Sequence, residues 1–160
     1  MTLQLLAATF EDSSLGLHGA RTDEGSALSL LFDSLMVESA AADVNPTPEV
    51  RRAEGVVQCA GSGWVSVQLR GATAVAGGHG FAHALGWANG RRLRALETAE
   101  GEPFCISVAA PVAADGLLRL SLLLLAQRDL AGANSAAACW VDSIDMSVLT
   151  LQRRQPGARK

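Results

Sequence analysis

His79 and His83 stand four apart in the run Gly77-Gly78-His79-Gly80-Phe81-Ala82-His83. On a helix that spacing brings two imidazoles to one metal ion. On an extended strand it spans about 13 Å at ~3.3 Å per residue, too wide for a single ion, and no nearby carboxylate completes a ligand set. No metal is expected here. The glycines around His79 lack the Lys-Ser/Thr of a phosphate-cradling loop, and no helical pattern follows them. A turn or bulge between strands is the expectation, with no nucleotide cofactor.

The remaining groups capable of chemistry are scattered. There is no Gly-x-Ser-x-Gly elbow, and Gly61-Ser62-Gly63 reads as a hairpin turn. Cys59, Cys105 and Cys139 would each need His18, His79 or His83 as a base, and no spacing fixes such a pair. Three cysteines without a CxxC spacing indicate neither a disulfide framework nor a zinc knuckle. Buried free thiols are expected, and the apolar neighbours Phe104 and Ile106 suggest a core position for Cys105. Asp12, Asp33, Asp142 and Asp145 form no Asp-x-Asp-x-Asp-Gly calcium loop. Asp142 and Asp145, three apart on an alternating segment, are expected on opposite faces. Asp142 would then share a face with Trp140 and Ile144, where a carboxylate needs a partner such as Arg70 or Arg119. A structural ion pair fits that position better than catalysis. The stacking groups are Trp64, Trp87 and Trp140, with no tyrosine, a thin supply for a sugar platform. Trp64 follows a glycine-rich turn that leaves room for exposure, although most tryptophans are largely buried. The candidate ligand-binding residues are therefore Trp64, Arg70, His83, Trp87 and Asp142, and no residue is assigned a catalytic role.

Period-two alternation dictates what must position these groups. Leu28, Leu30 and Phe32 fall on one face of their segment, and Val65, Val67 and Leu69 on one face of theirs, opposite Ser66, Gln68 and Arg70. Asn89-Gly90 separates Phe81–Ala88 from Arg91–Leu96 and reads as a hairpin turn. Asp115-Gly116 separates Phe104–Pro111 from Leu117–Gln127 and reads the same way. Leu117–Leu125 reads as a strand buried on both faces, so the face turned from the core needs cover from a second sheet or a partner. Ala131–Ala138 holds Gly132, Asn134 and Ser135 and reads as a loop. Ser39–Glu54, with Pro46 and Pro48, reads as a surface crossover. About eight short strands and no long amphipathic helix predict an all-β antiparallel sandwich, jelly-roll-like, over residues 1–152.

Composition narrows the function classes. The 160 residues suit one domain, 49% apolar content is ample for a core, and 18% charged content does not suggest disorder. Arg153, Arg154, Arg159 and Lys160 put four positive charges in residues 153–160, so the net −3 divides into a +4 tail and a −7 body. An acidic body is a poor nucleic-acid surface, and the tail reads as a flexible, solvated end. The first residues lack the basic lead and long apolar run of a signal peptide, and no stretch reaches the ~20 apolar residues of a membrane span. Those signals fit a cytoplasmic protein, or a secreted one whose signal has been removed.

Three stretches resemble a family of small, mostly secreted fungal and bacterial β-rich proteins of unknown function. The first is Asp23 to Val37, a glycine-led turn and an alternating strand containing Phe32-Asp33. The second is Gly63-Trp64, Val67 and Arg70-Gly71, followed by Phe81 to Gly90. The third is Cys139 with the alternating strand after it. The resemblance covers roughly residues 16–150 and implies a β-rich fold without an established activity. The family carries further cysteines where this chain has Leu17-His18 and Arg52–Glu54, so both partners of a family disulfide are missing together.

These observations favour a non-enzymatic β-sandwich that binds an as yet unnamed ligand or serves a structural role, and that self-associates through sheet edges or apolar faces. The alternatives are a hydrolase or lyase using Asp142, His83 and Arg70 on a concave sheet face, and a carbohydrate-binding module. A scaffold docking its basic tail on an acidic partner is a further option.

Overall fold

The computed structural model describes residues 2–10, 17–23, 26–40, 47–94 and 103–149. They form ten strands: β1 (Thr2–Phe10), β2 (Leu17–Asp23), β3 (Ala27–Ser39), β4 (Glu49–Ala60), β5 (Trp64–Ala76), β6 (Phe81–Ala88), β7 (Arg91–Arg94), β8 (Pro103–Pro111), β9 (Leu117–Gln127) and β10 (Ala136–Leu149). Every pairing is antiparallel. One sheet, A, has the order β1-β4-β9-β6-β7, and the other, B, has the order β2-β3-β10-β5-β8. The all-β sandwich expected from the alternation is the fold. No helix among the described residues is long and apolar enough to cross a membrane.

Alternation builds the core directly, because successive side chains of a strand point to opposite faces. Leu28, Leu30 and Phe32 of β3, Val65, Val67 and Leu69 of β5, and Leu118 and Leu124 of β9 are all buried between the sheets. Full burial of each such side chain stabilises by about 1.5–3 kcal/mol. An apolar void of about 10 Å³ lies among Leu30, Phe32, Ala53, Leu120 and Ile144. It is no larger than one water.

Several local expectations are corrected. The strands number ten among the described residues, not about eight. The register of β1 shifts between Leu5 and Ala7 and that of β2 between Leu17 and Gly19, so neither shows clean alternation. The expected crossover Ser39–Glu54 gives way at Glu49, where β4 already begins. Its first residues are mostly charged, which hides the strand pattern. Likewise β10 starts at Ala136, inside the segment read as a loop.

The Asn89-Gly90 hairpin is as expected, with φ of 46° and 77° joining β6 to β7. Asp115-Gly116 is not a hairpin turn. β8 belongs to sheet B beside β5 and β9 to sheet A between β4 and β6, so the segment crosses between sheets. The Gly116 N–H donates to the Ala113 carbonyl at 2.9 Å, and the Asp115 carboxylate accepts from the Leu117 N–H at 3.1 Å. Gly61-Ser62-Gly63 is also a sheet-to-sheet crossing, from β4 to β5.

A bulge in β10 overturns the expected facing of its side chains. Val141 pairs Gly71 and Ser143 pairs Arg70, so Asp142 is an extra residue against β5. An inserted residue inverts the alternation beyond it. Cys139 and Val141 face the core before the bulge, and Ile144 and Met146 after it. Trp140 therefore lies on the outer surface and does not share a face with Ile144. Asp142 and Asp145, expected on opposite faces, both lie on the outer side of sheet B.

Candidate functional site

The outer face of sheet A gathers polar and aromatic side chains around an open depression. β6 alternates so that Ala82, Ala84 and Ala88 are buried, while Phe81, His83, Leu85 and Trp87 face outward and are half-buried. On β9 the buried Leu118, Leu120, Leu122 and Leu124 leave Arg119, Ser121, Leu123 and Leu125 outward. β9 is a strand as expected, but it is buried on one face only, and its outer face is half-buried with Arg119 exposed.

Register assembles these residues into cross-strand rows. Glu54 of β4 pairs Ser121 of β9, Ser121 pairs Trp87 of β6, and Trp87 pairs Arg92 of β7. Direct cross-strand partners on one face hold their Cβ atoms about 4.5–5.5 Å apart. Carboxylate, hydroxyl, indole and guanidinium therefore lie in one line across the sheet. The next row places Val56 beside Arg119. Over these rows opens a depression of about 530 Å³, lined by Glu54, Val56, Trp87, Arg119 and Ser121 and closed at one end by the Asn89-Gly90 turn.

The rim of the depression is held rigidly. The Asn89 side chain donates to the Pro111 carbonyl at 2.8 Å and to the Leu117 carbonyl at 3.0 Å, and accepts from the Arg119 N–H at 2.8 Å. All its polar atoms serve the scaffold. Arg119 is ion-paired with Asp115, which holds that carboxyl below its ordinary range, chiefly through the side-chain hydrogen bond. The same bond raises Arg119. Sequence reasoning missed Glu54, Ser121, Asn89 and Arg119 as one group, although the turn signal at Asn89 located its end. Their union depends on strand order, which no short segment specifies.

The candidate residues divide among separate surfaces. Trp87 lines the depression. His83 shares its strand face but stacks on Phe81, with centroids 5.1 Å apart. Trp64, the tryptophan whose glycine-rich turn allowed exposure, is half-buried, and the Arg91 guanidinium covers its ring 5.0 Å from the centroid. Arg70 lies on the outer face of sheet B, with its guanidinium 2.8 Å from Gln68 Oε1 and 3.4 Å from Asp145 Oδ2. Asp145 in turn accepts from Ser29 Oγ at 2.6 Å and Ser143 Oγ at 3.0 Å. The expected partnership of Asp142 with Arg70 or Arg119 is corrected: Arg70 serves Asp145, Arg119 serves Asp115, and Asp142 is exposed at the bulge. His83 stands on one side of the sandwich and Arg70 and Asp142 on the other, across two sheets ~10 Å apart. They do not form one catalytic site.

The glycine-rich loop has a packing role. Asp129 accepts from the His79 N–H at 3.0 Å and from the Ala131 N–H at 3.0 Å, and these bonds lower its pKa. At Gly78, where φ is +144°, a Cβ would collide with the Asp129 carboxylate, so only glycine admits this approach. His79 itself is exposed in the loop.

No protein-family model matches the sequence, and no curated protein matches it. Among solved structures the chain is similar to a family 35 carbohydrate-binding module from an environmental isolate, at 16% identity and a TM-score of 0.35, over 92% of this chain and 100% of that one. It is also similar to a family GH31 α-xylosidase from Xanthomonas citri, at 11% identity and a TM-score of 0.30, over 91% of this chain and 18% of the enzyme. Likenesses this distant transfer neither ligand nor activity, and the site rests on its own geometry.

Proposed function

We propose that this chain is a non-enzymatic binding module on a jelly-roll sandwich, and that its ligand is a saccharide seated on the outer face of sheet A against Trp87. Within the sheets, the order β3-β10-β5-β8 faces β4-β9-β6-β7, with the chain passing repeatedly from one to the other. That connectivity supports the jelly-roll reading. The observation that carries the function is the row Glu54, Ser121, Trp87 and Arg92 beside an open depression. A pyranose has an apolar face of C–H groups and a polar rim of hydroxyls. An indole supplies the stacking surface for the first, and a carboxylate, a hydroxyl and guanidinium groups supply acceptors and donors for the second. Few aromatics are needed when one tryptophan stands on a rigid sheet beside such groups.

The test is titration of the protein with a panel of oligosaccharides, followed by tryptophan fluorescence and calorimetry. Binding by the parent and a fall of roughly thirtyfold in Trp87→Ala, equivalent to about 2 kcal/mol for an anchoring aromatic, is the expected result. Trp64→Ala, whose ring already faces Arg91, should keep the affinity within about threefold. Equal affinity in parent and Trp87→Ala defeats the proposed seat, and cleavage of any panel member by the parent defeats the non-enzymatic reading.

A further inference from the structure

The edge of a sheet offers unpaired N–H and C=O groups to any other strand, and folded proteins blunt such edges with charge, bulges or brevity. Among the described residues the two sheets have four edges, and three of them are blunted. β7 has four residues, including Arg91, Arg92 and Arg94. β1 breaks register between Leu5 and Ala7. β2 breaks register between Leu17 and Gly19 and includes Arg21 and Asp23. β8 is different: its nine residues, PFCISVAAP, hold no charge and pair with β5 from Trp64↔Pro111 to Ala72↔Pro103 without a shift.

The direction of the β8 backbone groups follows from two hydrogen bonds. Val112, just past the strand, donates its N–H to Gly63 at 2.9 Å, on the β5 side. The Pro111 carbonyl instead accepts from the Asn89 side chain, which belongs to sheet A and lies off β5. Successive residues of an antiparallel strand alternate between facing the partner strand and facing away. Cys105, Ser107 and Ala109, in phase with Pro111, therefore turn their N–H and C=O groups to the open side. Pro103 and Pro111 share that phase, where a missing N–H costs the β5 ladder nothing. The prolines bound the segment able to accept another strand.

We infer that β8 is a self-association edge, and that its occupant is β8 of a second copy of this chain, antiparallel about a two-fold axis at Ser107. This register sets Ser107 opposite Ser107 of the second copy, Cys105 opposite Ala109, and Pro103 opposite Pro111. Cys105, Ser107 and Ala109 of each copy donate one N–H and accept one across the axis. A two-fold axis brings like residues together, and β8 itself sets no like charges against its own copy. The outward side chains of Cys105, Ser107 and Ala109 are small and exposed. Ile106 and Val108 point toward the core yet stay half-buried at its open margin, and the second copy's margin would cover them. The result is one continuous sheet through both subunits.

Analytical ultracentrifugation of the full chain over a concentration series, with and without reductant, tests the inference alongside Ser107→Lys and Ala109→Lys. The expected result is a dimer unaffected by reductant, weakened roughly tenfold or more by either lysine. Amide exchange should show Cys105, Ser107 and Ala109 protected in the dimer and open in the dilute monomer. Should Ser107→Lys misfold, Ala109→Lys carries the same comparison. A monomer at every concentration overturns the inference, as does a dimer indifferent to both lysines. So does a dimer that reductant dissolves, because Cys105 would then be its link. Protection of the three amides in the monomer also overturns it, since the chain's own segments would be covering the edge.

Discussion

Burial sets the behaviour of two of the three thiols, and position on a strand sets that of the third. Cys139 is enclosed between the sheets and its pKa is pushed up to about 12, and burial also raises Cys59. Both thiols stay protonated at neutral pH and are shielded from reagents. Cys105 is exposed, contrary to the core position suggested by its apolar neighbours. The reason is elementary: flanking residues on a strand face the opposite way, so the inward Phe104 argues for an outward Cys105. Neighbour composition misleads where alternation, applied to the same three residues, does not. A maleimide added to the native protein should modify Cys105 quickly and the other two only after denaturant. Rapid modification of all three in the native state would show that the inter-sheet core opens, contradicting the burial of Cys59 and Cys139.

At the scale of elements, Asn89 shows what a turn signal does and does not contain. The dipeptide Asn89-Gly90 announces positive φ angles and a hairpin, and both are present. It does not announce that the Asn89 side chain reaches residues 22 and 30 positions away, joining the turn to the crossing between β8 and β9. Asn89→Gly keeps the left-handed backbone and deletes three hydrogen bonds, with an expected loss of about 3 kcal/mol. Asn89→Ala deletes the same bonds and adds about 1 kcal/mol or more for a Cβ in that backbone region. Urea unfolding of both variants measures the two effects separately. If both stay within about 0.5 kcal/mol of the parent, the side chain is no clasp. Asp115-Gly116 gives the complementary lesson. Its local chemistry is that of a turn, but which sheet each flanking strand joins depends on all ten strands. The alternation of Val65, Val67 and Leu69 made the sandwich legible because each face is fixed locally. The bulge at Asp142 was not legible, since one extra residue leaves no mark on composition and yet reverses every side chain beyond it.

At the scale of the whole molecule, the two proposed surfaces are compatible and reinforce each other. The saccharide seat lies on the outer face of sheet A, whereas β8 is the edge of sheet B, so a second copy at that edge leaves Trp87 uncovered. A two-fold axis through a continuous antiparallel sheet stands perpendicular to it, and such an axis preserves which side of the sheet is which. Both copies of sheet A then lie on one side of the joined sheet, with both depressions opening the same way. Two seats facing one polymer act together, because the second binding event becomes intramolecular and gains the effective concentration of a tethered ligand. An isolated oligosaccharide occupies one seat and gains nothing. Ser107→Lys, which separates the copies without touching the depression, should therefore leave affinity for a short oligosaccharide unchanged. Retention on the parent polysaccharide should fall by roughly a hundredfold, the lower end of bivalent gains. Calorimetry with the oligosaccharide and depletion assays with the polymer, run on the same protein stocks, separate the two. Equal loss for both ligands would place the effect of Ser107 in the seat itself, and no loss for the polymer would mean that the two seats cannot engage one chain together.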